Sequence, residues 1–139
     1  MIHGPNLNLL GQREPEVYGS ATLADHTKTT QDALAKHGAS LQTMQSNSEA
    51  QIVDAVHQAR GVVDAIIINA GAFTHYSWAI HDALKSFAGP IIEVHLSNPA
   101  AREKFRHTSV IAPVALGTIA GFGGLGYELA VQALFCHRQ

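Results

Sequence analysis

The chain has 139 residues, of which 46% are hydrophobic and 14% are charged, and its formal net charge is −2. This length fits one domain over residues 1–139, which can bury roughly two-thirds of its unfolded surface without a disulfide or metal. The charge balance argues against a nucleic acid or an anionic membrane as a partner. The single cysteine, Cys136, cannot form an internal disulfide, and we therefore expect a reducing compartment such as the cytoplasm.

The first distinctive segment, residues 6–19, is typical of a hinged lid. Gly11 and Gly19 bracket a polar stretch that carries Arg13 and Tyr18. Glycine relaxes the backbone at both ends, so the segment between them could swing over a pocket. A cation beside a tyrosine favours the phenolate, which is a strong base. The segment therefore suggests a base delivered by loop closure.

Strands and helices alternate along the rest of the chain. Runs of β-branched residues indicate strands buried on both faces, and capping signals followed by apolar periodicity indicate helices. The predicted strands are residues 41–44, 65–69, 91–96 and 115–120. The predicted helices are residues 23–37, 49–60, 77–87, a short helix after Asn98, and 125–135. This order predicts an α/β fold with a parallel sheet, helices on both faces and ligands at the carboxyl ends of the strands.

Residues 108–127 contain no charged side chain, which raises the question of a membrane span. Pro113 and five glycines make a spanning helix a poor interpretation and favour a buried strand flanked by turns. Residues 121–126 also match G-x-G-x-x-G, but a dinucleotide site needs a following strand with an acidic residue about 20 positions on. We interpret these glycines as allowing tight packing of strand against helix, which leaves a nucleotide-binding oxidoreductase without support.

Polar side chains follow two of the predicted strands. Glu93 and His95 share one face of a strand, where the carboxylate can fix the imidazole tautomer and favour a general acid. The same pair could be a buried ion pair or half of a metal site. Asn69 and His75 could bind a hydroxyl-rich ligand, or they could form an Asx-type turn beside a surface histidine.

Two further clusters also leave alternatives open. Arg102 and Arg106 lie four residues apart on the predicted short helix, facing either an anionic substrate or solvent. A zinc site could be assembled from side chains whose spacing matches no recognised ligand pattern. Those side chains are His75, His81, His95 and Glu93.

Together these segments resemble the type II 3-dehydroquinate dehydratases. The matching segments run through most of the chain in the family's order and cover residues 3–11, 13–15, 18–19, 45–47, 68–77, 92–99 and 101–106. The resemblance implies a flavodoxin-like three-layer sandwich and the anti elimination of water from 3-dehydroquinate to give 3-dehydroshikimate, a step of the shikimate pathway. It also implies a reaction without a cofactor or metal, in a homododecamer that is a tetramer of trimers.

Residue roles follow from the resemblance by position. Tyr18 would be the base that removes the C2 proton, and Arg13 would hold it as a phenolate. His95, oriented by Glu93, would be the acid for the leaving C1 hydroxyl, and Asn6 would position a water that stabilises the enolate. The substrate-binding residues would be Asn69, His75 and Arg106 for the ring hydroxyls, the backbone of Leu96 and Ser97 for the carboxylate, and Asp82 acting in a neighbouring subunit's site.

Two alternatives compete with this assignment. The type I enzymes use a lysine Schiff base, but no lysine of this chain ends a predicted strand; all four fall in predicted helices, at Lys28, Lys36, Lys85 and Lys104. A non-catalytic flavodoxin-like module for a small polyol or acid would keep the polar loop 69–75. Such a module would not need Arg13, Tyr18 and a carboxylate–imidazole pair together.

The chain departs from the family pattern at its start. His3 stands where asparagine is common, so no role is assigned to it. Only Met1, Ile2 and His3 precede Gly4, whereas a typical strand has about five or six residues. The first strand is therefore expected to be very short, unless residues before this sequence extend it.

Overall fold

The computed structural model describes residues 1–12 and 14–137. The strands are β1 (Ile2–His3), β2 (Met44–Gln45), β3 (Ile66–Asn69), β4 (Ile91–His95) and β5 (Gly117–Ala120). The helices are α1 (Pro15–Tyr18), α2 (Leu23–Ala35), α3 (Glu49–Ala59), α4 (Trp78–Lys85) and α5 (Leu125–His137). The strands are parallel and lie in the order β2-β1-β3-β4-β5. This is the flavodoxin-like order, and it confirms the predicted fold class.

The sheet has a hydrophobic core on each face. Successive side chains of a strand point to opposite faces, so Ile66 and Ile68 join one core while Ile67 joins the other. The first core is completed by α3 and α4 through Ile52, Val56, Ile80 and Leu84. The second is completed by α2 and α5 through Leu34, Tyr127, Val131 and Leu134. The result is the predicted three-layer sandwich.

The strand predicted at residues 41–44 lies further along the chain, at Met44–Gln45. β2 is an edge strand that pairs with β1 alone, in the register Ile2↔Met44 and His3↔Gln45. Before Met44, the Met1 amino group donates to the Gln42 carbonyl oxygen at 2.7 Å. β1 has two residues, which agrees with the first of the two expectations, a very short first strand.

The helix predicted after Asn98 is wrong in its length and continuity. The Asn98 side chain accepts a hydrogen bond from the Ala100 N–H, with proline as the next residue, as the capping signal predicts. The 3₁₀ turn Pro99–Ala101 then ends, because Arg102 is extended with φ −113° and ψ −160°. A second 3₁₀ turn runs over Lys104–His107. Arg102 and Arg106 therefore do not share the face of one helix.

The uncharged stretch 108–127 contains β5, which is an edge strand and not the buried strand predicted there. It pairs with β4 alone, and Gly117 and Thr118 are exposed. Within the described residues, no helix is long and apolar enough to cross a membrane. The glycines after β5 do allow close packing, because a Cβ on Gly124 would lie 2.4 Å from His26 Cε1.

Candidate active site

A polar pocket opens at the carboxyl ends of β1, β3 and β4. This is the switch point of the sheet, where chain connections diverge and flavodoxin-like folds bind ligands. Most of the predicted site residues line the pocket, namely Asn6, Tyr18, Asn69, His75, His95, Leu96, Ser97 and Arg106. Arg102, which was predicted to face either an anionic substrate or solvent, lines it with them.

Among the described residues, two predicted site residues do not line this pocket. Glu93 lies behind His95, fully buried in the sheet. Asp82 is exposed on α4. Arg13 lies outside the described residues, so its predicted role stays a prediction.

His95 and Glu93 form a hydrogen-bonded pair at the end of β4. His95 Nε2 lies 2.9 Å from Glu93 Oε1, and His95 is 8% exposed. An ionised carboxylate only accepts hydrogen bonds, so Nε2 carries the hydrogen. Nδ1 is then the nitrogen that can exchange a proton with a ligand. The pair is a buried ion pair when His95 is protonated, and this is compatible with its predicted use as an acid.

Glu93 is held as an anion by hydroxyl donors from three separate segments. Oε1 accepts from Thr74 and, at 2.8 Å, from Ser109 Oγ, and Oε2 accepts from Thr118 Oγ1 at 3.0 Å. Burial alone would raise the pKa of Glu93, but hydrogen bonds from His95, Thr74 and Ser109 outweigh burial and lower its pKa below the usual range. The carboxylate therefore gives His95 a fixed negative neighbour.

The structure does not assemble the zinc site that the histidines suggested. The Nδ1 atom of His75 lies 2.8 Å from the Thr108 carbonyl oxygen, and that of His81 lies 2.6 Å from the Val110 carbonyl oxygen. Carbonyl oxygens only accept, so both Nδ1 atoms carry hydrogen. In the part of the chain that the structure describes, no group of three or more His, Cys, Asp or Glu side chains could hold a metal ion.

Tyr18 is brought to the pocket by the short lid helix α1. The glycines on both sides of it have positive φ, 82° at Gly11 and 80° at Gly19, a conformation that favours glycine. Tyr18 is half-buried, and its Oη accepts a hydrogen bond of 3.0 Å from Arg102 Nη1. The guanidinium carbon also lies 5.5 Å from the centre of the Tyr18 ring, within cation–π range.

Arg102 is a cation bound to Tyr18 that the sequence pattern did not indicate. The two residues are 84 positions apart, and Arg102 Nη1 also donates to Ser97 Oγ at 3.1 Å. The available signal was that Arg102 lies in a segment matching the family. Its four-residue spacing from Arg106 pointed instead to a shared helix face, which does not exist.

Asn69 combines the two interpretations that its sequence position allowed. Its Oδ1 accepts from the Gly71 N–H at 3.2 Å, which is an Asx-type turn, and the side chain also lines the pocket. Its Nδ2 donates to Tyr127 Oη at 3.2 Å. His75, at the end of the same loop, also lines the pocket. Its Nδ1 is bonded to the Thr108 carbonyl oxygen, so Nε2 is the ring nitrogen that can contact a ligand.

Asn6 is fixed at the start of the lid segment. It adopts a left-handed conformation with φ 66°, and its N–H donates to Asn47 Oδ1 at 3.0 Å. Gln45 Nε2 donates to the same oxygen at 3.1 Å and to the Gly4 carbonyl oxygen at 3.2 Å. These bonds hold the first turn of the pocket against the end of β2.

Fold and site together define a flavodoxin-like protein with an arginine-paired tyrosine and a carboxylate-paired histidine at its switch point. The family model described as "Dehydroquinase class II" matches residues 1–135. This chain belongs to the class II dehydroquinase family.

Individual relatives agree with the family model. The chain is 54% identical to a 3-dehydroquinate dehydratase of Ruegeria pomeroyi over 137 residues, covering 99% of this chain and 92% of that protein. It is 56% identical to a catabolic 3-dehydroquinase of Emericella nidulans over 132 residues, covering 95% and 86%. The crystal structure of a type II dehydroquinase from Propionibacterium acnes has a TM-score of 0.92 at 44% identity, covering 96% of this chain and 92% of that one.

Proposed function

We propose that this protein is a type II 3-dehydroquinate dehydratase. It removes water from 3-dehydroquinate to give 3-dehydroshikimate, a step of the shikimate pathway that serves aromatic amino acid biosynthesis. The observation that carries the proposal is one pocket lined by both the Arg102-bonded Tyr18 and the Glu93-bonded His95. Membership of the family supports the same activity and speaks against a non-catalytic binding module.

Tyr18 is the proposed base for the C2 proton. A tyrosine in water titrates near pKa 10, so forming its phenolate at neutral pH costs about 4 kcal/mol without help. The Arg102 guanidinium donates to Tyr18 Oη, so a positively charged donor lies beside the oxygen that is proposed to take the proton. Arg13, on the same lid segment, is proposed to add a second positive charge when the lid is closed.

His95 is the proposed acid for the C1 hydroxyl. Glu93 orients the ring through Nε2, and Nδ1 of the protonated ring donates its proton to the leaving oxygen. The C2 proton first moves to Tyr18, and the electron pair of the C2–H bond forms the enolate. The C1 hydroxyl then takes a proton from His95 and leaves as water, while the electron pair of the enolate forms the C1–C2 double bond. These steps use proton transfers between side chains and substrate and call for no cofactor.

The remaining pocket residues are proposed to bind the substrate. Asn6 holds a water against the enolate oxygen, and the backbone at Leu96 and Ser97 receives the carboxylate. Asn69, His75 and Arg106 bind the ring hydroxyls. Their positions support this proposal, because all of these residues line the same pocket.

The activity can be tested by incubating the protein with 3-dehydroquinate and following the ultraviolet absorbance of the conjugated enone. We expect absorbance to grow, and to be unaffected by borohydride, which would trap the imine of a lysine mechanism. No absorbance change would contradict the proposed activity. Loss of activity after borohydride treatment in the presence of substrate would contradict the type II mechanism.

We further propose that the protein works in the cytoplasm as a homododecamer, a tetramer of trimers, in which Asp82 reaches a neighbouring subunit's site. Support comes from α4, where Asp82 is exposed one helical turn from Trp78, which is 63% exposed. A large exposed aromatic side chain beside a carboxylate is suited to an interface between subunits.

Complementation tests the role of Asp82 in the assembly. Co-expression of Asp82→Ala and Tyr18→Phe chains should give mixed oligomers more active than either variant alone, because some sites then combine an intact Tyr18 with an intact neighbouring Asp82. Light scattering should give a dodecamer mass for all three preparations. Mixed oligomers no more active than the parent variants would contradict action across subunits.

A further inference from the structure

Behind the pocket wall lies a buried, hydrogen-bonded chain of three side chains, of which the proposed mechanism uses only Asn69. It runs from Asn69 to Tyr127 on α5 and ends at His3 on β1. Asn69 Nδ2 lies 3.2 Å from Tyr127 Oη, and Tyr127 Oη lies 3.3 Å from His3 Nδ1. Exposure is 3% for Asn69, 1% for Tyr127 and 0% for His3, so none of these bonds competes with bulk water.

The chemistry of the three groups sets the direction of each bond. An amide nitrogen only donates, so Tyr127 Oη must accept from Asn69. The hydroxyl hydrogen of Tyr127 is then available to donate to His3 Nδ1. His3 is therefore the terminal acceptor, with its own hydrogen on Nε2. All three groups are neutral, since burial lowers the pKa of His3 to about 3 and raises the pKa of Tyr127.

The sheet register places the two ends of this chain side by side. His3 and Asn69 are paired residues of β1 and β3, so their side chains project from the same face of the sheet, where α5 supplies Tyr127. The His3 and Tyr127 rings also meet edge to face, with centres 5.5 Å apart. Tyr127 is thereby held between the two strands.

The amide of Asn69 is consequently fixed at both ends. Oδ1 accepts from the Gly71 N–H, and one Nδ2 hydrogen is used by Tyr127. The second Nδ2 hydrogen remains for a ligand in the pocket. Without Tyr127 Oη, the amide would be held by the Oδ1 bond to Gly71 alone, and the direction of the hydrogen offered to the ligand would be less firmly fixed.

We infer that Tyr127 and His3 are positioning residues that orient the Asn69 amide toward a substrate hydroxyl. The inference rests on the proposed function, in which Asn69 binds the substrate. It also accounts for His3, whose Nε2 has no hydrogen-bond partner among the described residues. A buried nitrogen without a partner lowers the stability of a fold, so Nε2 gives no reason for a histidine at this position. The contribution of His3 is therefore the hydrogen bond that its Nδ1 accepts from Tyr127 Oη.

A double-mutant cycle tests the role of Tyr127. Tyr127→Phe removes the hydroxyl alone and should lower kcat/KM about tenfold, as expected for one hydrogen bond, chiefly through KM. Asn69→Ala should lower it at least as much, and the double variant should be no worse than Asn69→Ala. Tyr76→Phe, at an exposed position away from the pocket, is the matched control and should match the wild type.

Additive losses in the double variant would overturn the inference, because they would show that Tyr127 acts independently of Asn69. Equal KM values for wild type and Tyr127→Phe would overturn it as well. Wild-type turnover of 3-dehydroquinate is measured first in the same assay. A wild type without turnover defeats the proposed function, whereas an active wild type with an additive cycle defeats only the positioning role.

The role of His3 has its own pair of variants. His3→Asn retains a side-chain acceptor for the Tyr127 hydroxyl and should keep KM within about twofold of wild type. His3→Leu has a similar volume and no acceptor, and should raise KM toward the value of Tyr127→Phe. Urea unfolding of each variant checks that it is folded under assay conditions. Equal KM values for folded His3→Asn and His3→Leu would contradict the role of His3, and if His3→Leu does not fold, the Tyr127 cycle still decides the inference.

Discussion

Glu93 and His95 lie at the end of β4, which has a neighbouring strand on each side, and hydroxyl groups from three other segments hold the carboxylate. Tyr18 faces the same pocket from a four-residue helix between two glycines with positive φ. It also lines a second, more open cavity together with Val17, Gly19 and the two residues that follow the lid. The proposed acid is thus built into the sheet, while the proposed base belongs to a segment with space to move.

This difference suggests a division of labour between the two sides of the pocket. A buried, fully hydrogen-bonded carboxylate cannot be disturbed without cost to the fold. The ring of Tyr18 packs against the second core, but its hydroxyl faces the pocket, so removing the hydroxyl alone should have little effect on folding. Substitutions at Glu93 should therefore change both stability and rate, whereas removal of the Tyr18 hydroxyl should change rate alone.

Tyr18→Phe should have the largest effect on rate. Removing the proposed base should lower kcat by roughly 10²–10⁴-fold, the usual range for a general base. The circular dichroism spectrum and the melting temperature should stay close to wild type. A variant that still turns over at a near-normal rate would remove Tyr18 as the base.

Glu93→Gln should damage both rate and stability. The amide of glutamine places an NH₂ group among the donors that bond to the Glu93 carboxylate in the wild type. Each buried donor left without an acceptor lowers the free energy of unfolding by about 1–3 kcal/mol. We expect roughly 2–4 kcal/mol less stability in urea unfolding and a fall in kcat of about 10²-fold. Thr118→Val, which removes one donor, is the milder control. Unchanged stability in Glu93→Gln would contradict the contrast between the two sides.

Arg102→Ala should lower kcat by about 10–100-fold, the equivalent of one charge-assisted hydrogen bond of 1.5–3 kcal/mol. KM should rise by a smaller factor, through the lost bond to Ser97. Arg13→Ala should likewise lower kcat far more than it raises KM. Steady-state kinetics of both variants at several pH values would check this, and near-normal kcat in both would leave Tyr18 without its proposed cations.

Protonation of His3 at low pH should have the smallest effect on rate. It should nevertheless change the free energy of unfolding clearly. Burial is the main cause that lowers its pKa from 6.5 to about 3, with smaller contributions from the positive N-terminus and His26. The unfolded chain therefore binds a proton between pH 6.5 and 3 that the folded chain does not, and stability falls as pH decreases through this window. The loss should reach up to roughly 4 kcal/mol, and His3→Asn should reduce it in urea titrations from pH 7 to 4. Equal pH dependence in both proteins would contradict the assignment to His3.

Local patterns predicted much of this fold. β3 and β4 follow from runs rich in β-branched residues, and α2 follows from Thr22, whose side chain accepts from the Asp25 N–H. β2 could not be placed from its own residues, because its position depends on the two residues of β1 available for pairing. The helix after Asn98 failed at Arg102, whose extended backbone no local pattern indicates.

The site was predictable where its residues follow strands, as at Asn69 and His95. The supporting contacts were not, because they join distant positions. The bond from Arg102 to Tyr18 spans 84 residues, and the Glu93 donors Thr74, Ser109 and Thr118 come from three different segments. Nothing in the local spacing of serine or threonine indicates that they will meet one carboxylate.

Exchange of the C2 proton of 3-dehydroquinate in D₂O tests the division between base and acid most directly. The reaction is followed by proton NMR with wild type, Tyr18→Phe, His95→Asn and a sample without enzyme. The account predicts that His95→Asn still exchanges the C2 proton above background while forming almost no product, because Tyr18 can still make the enolate. Tyr18→Phe should do neither. Exchange by Tyr18→Phe at the wild-type rate, or its absence in a folded His95→Asn variant, would contradict separate base and acid sides.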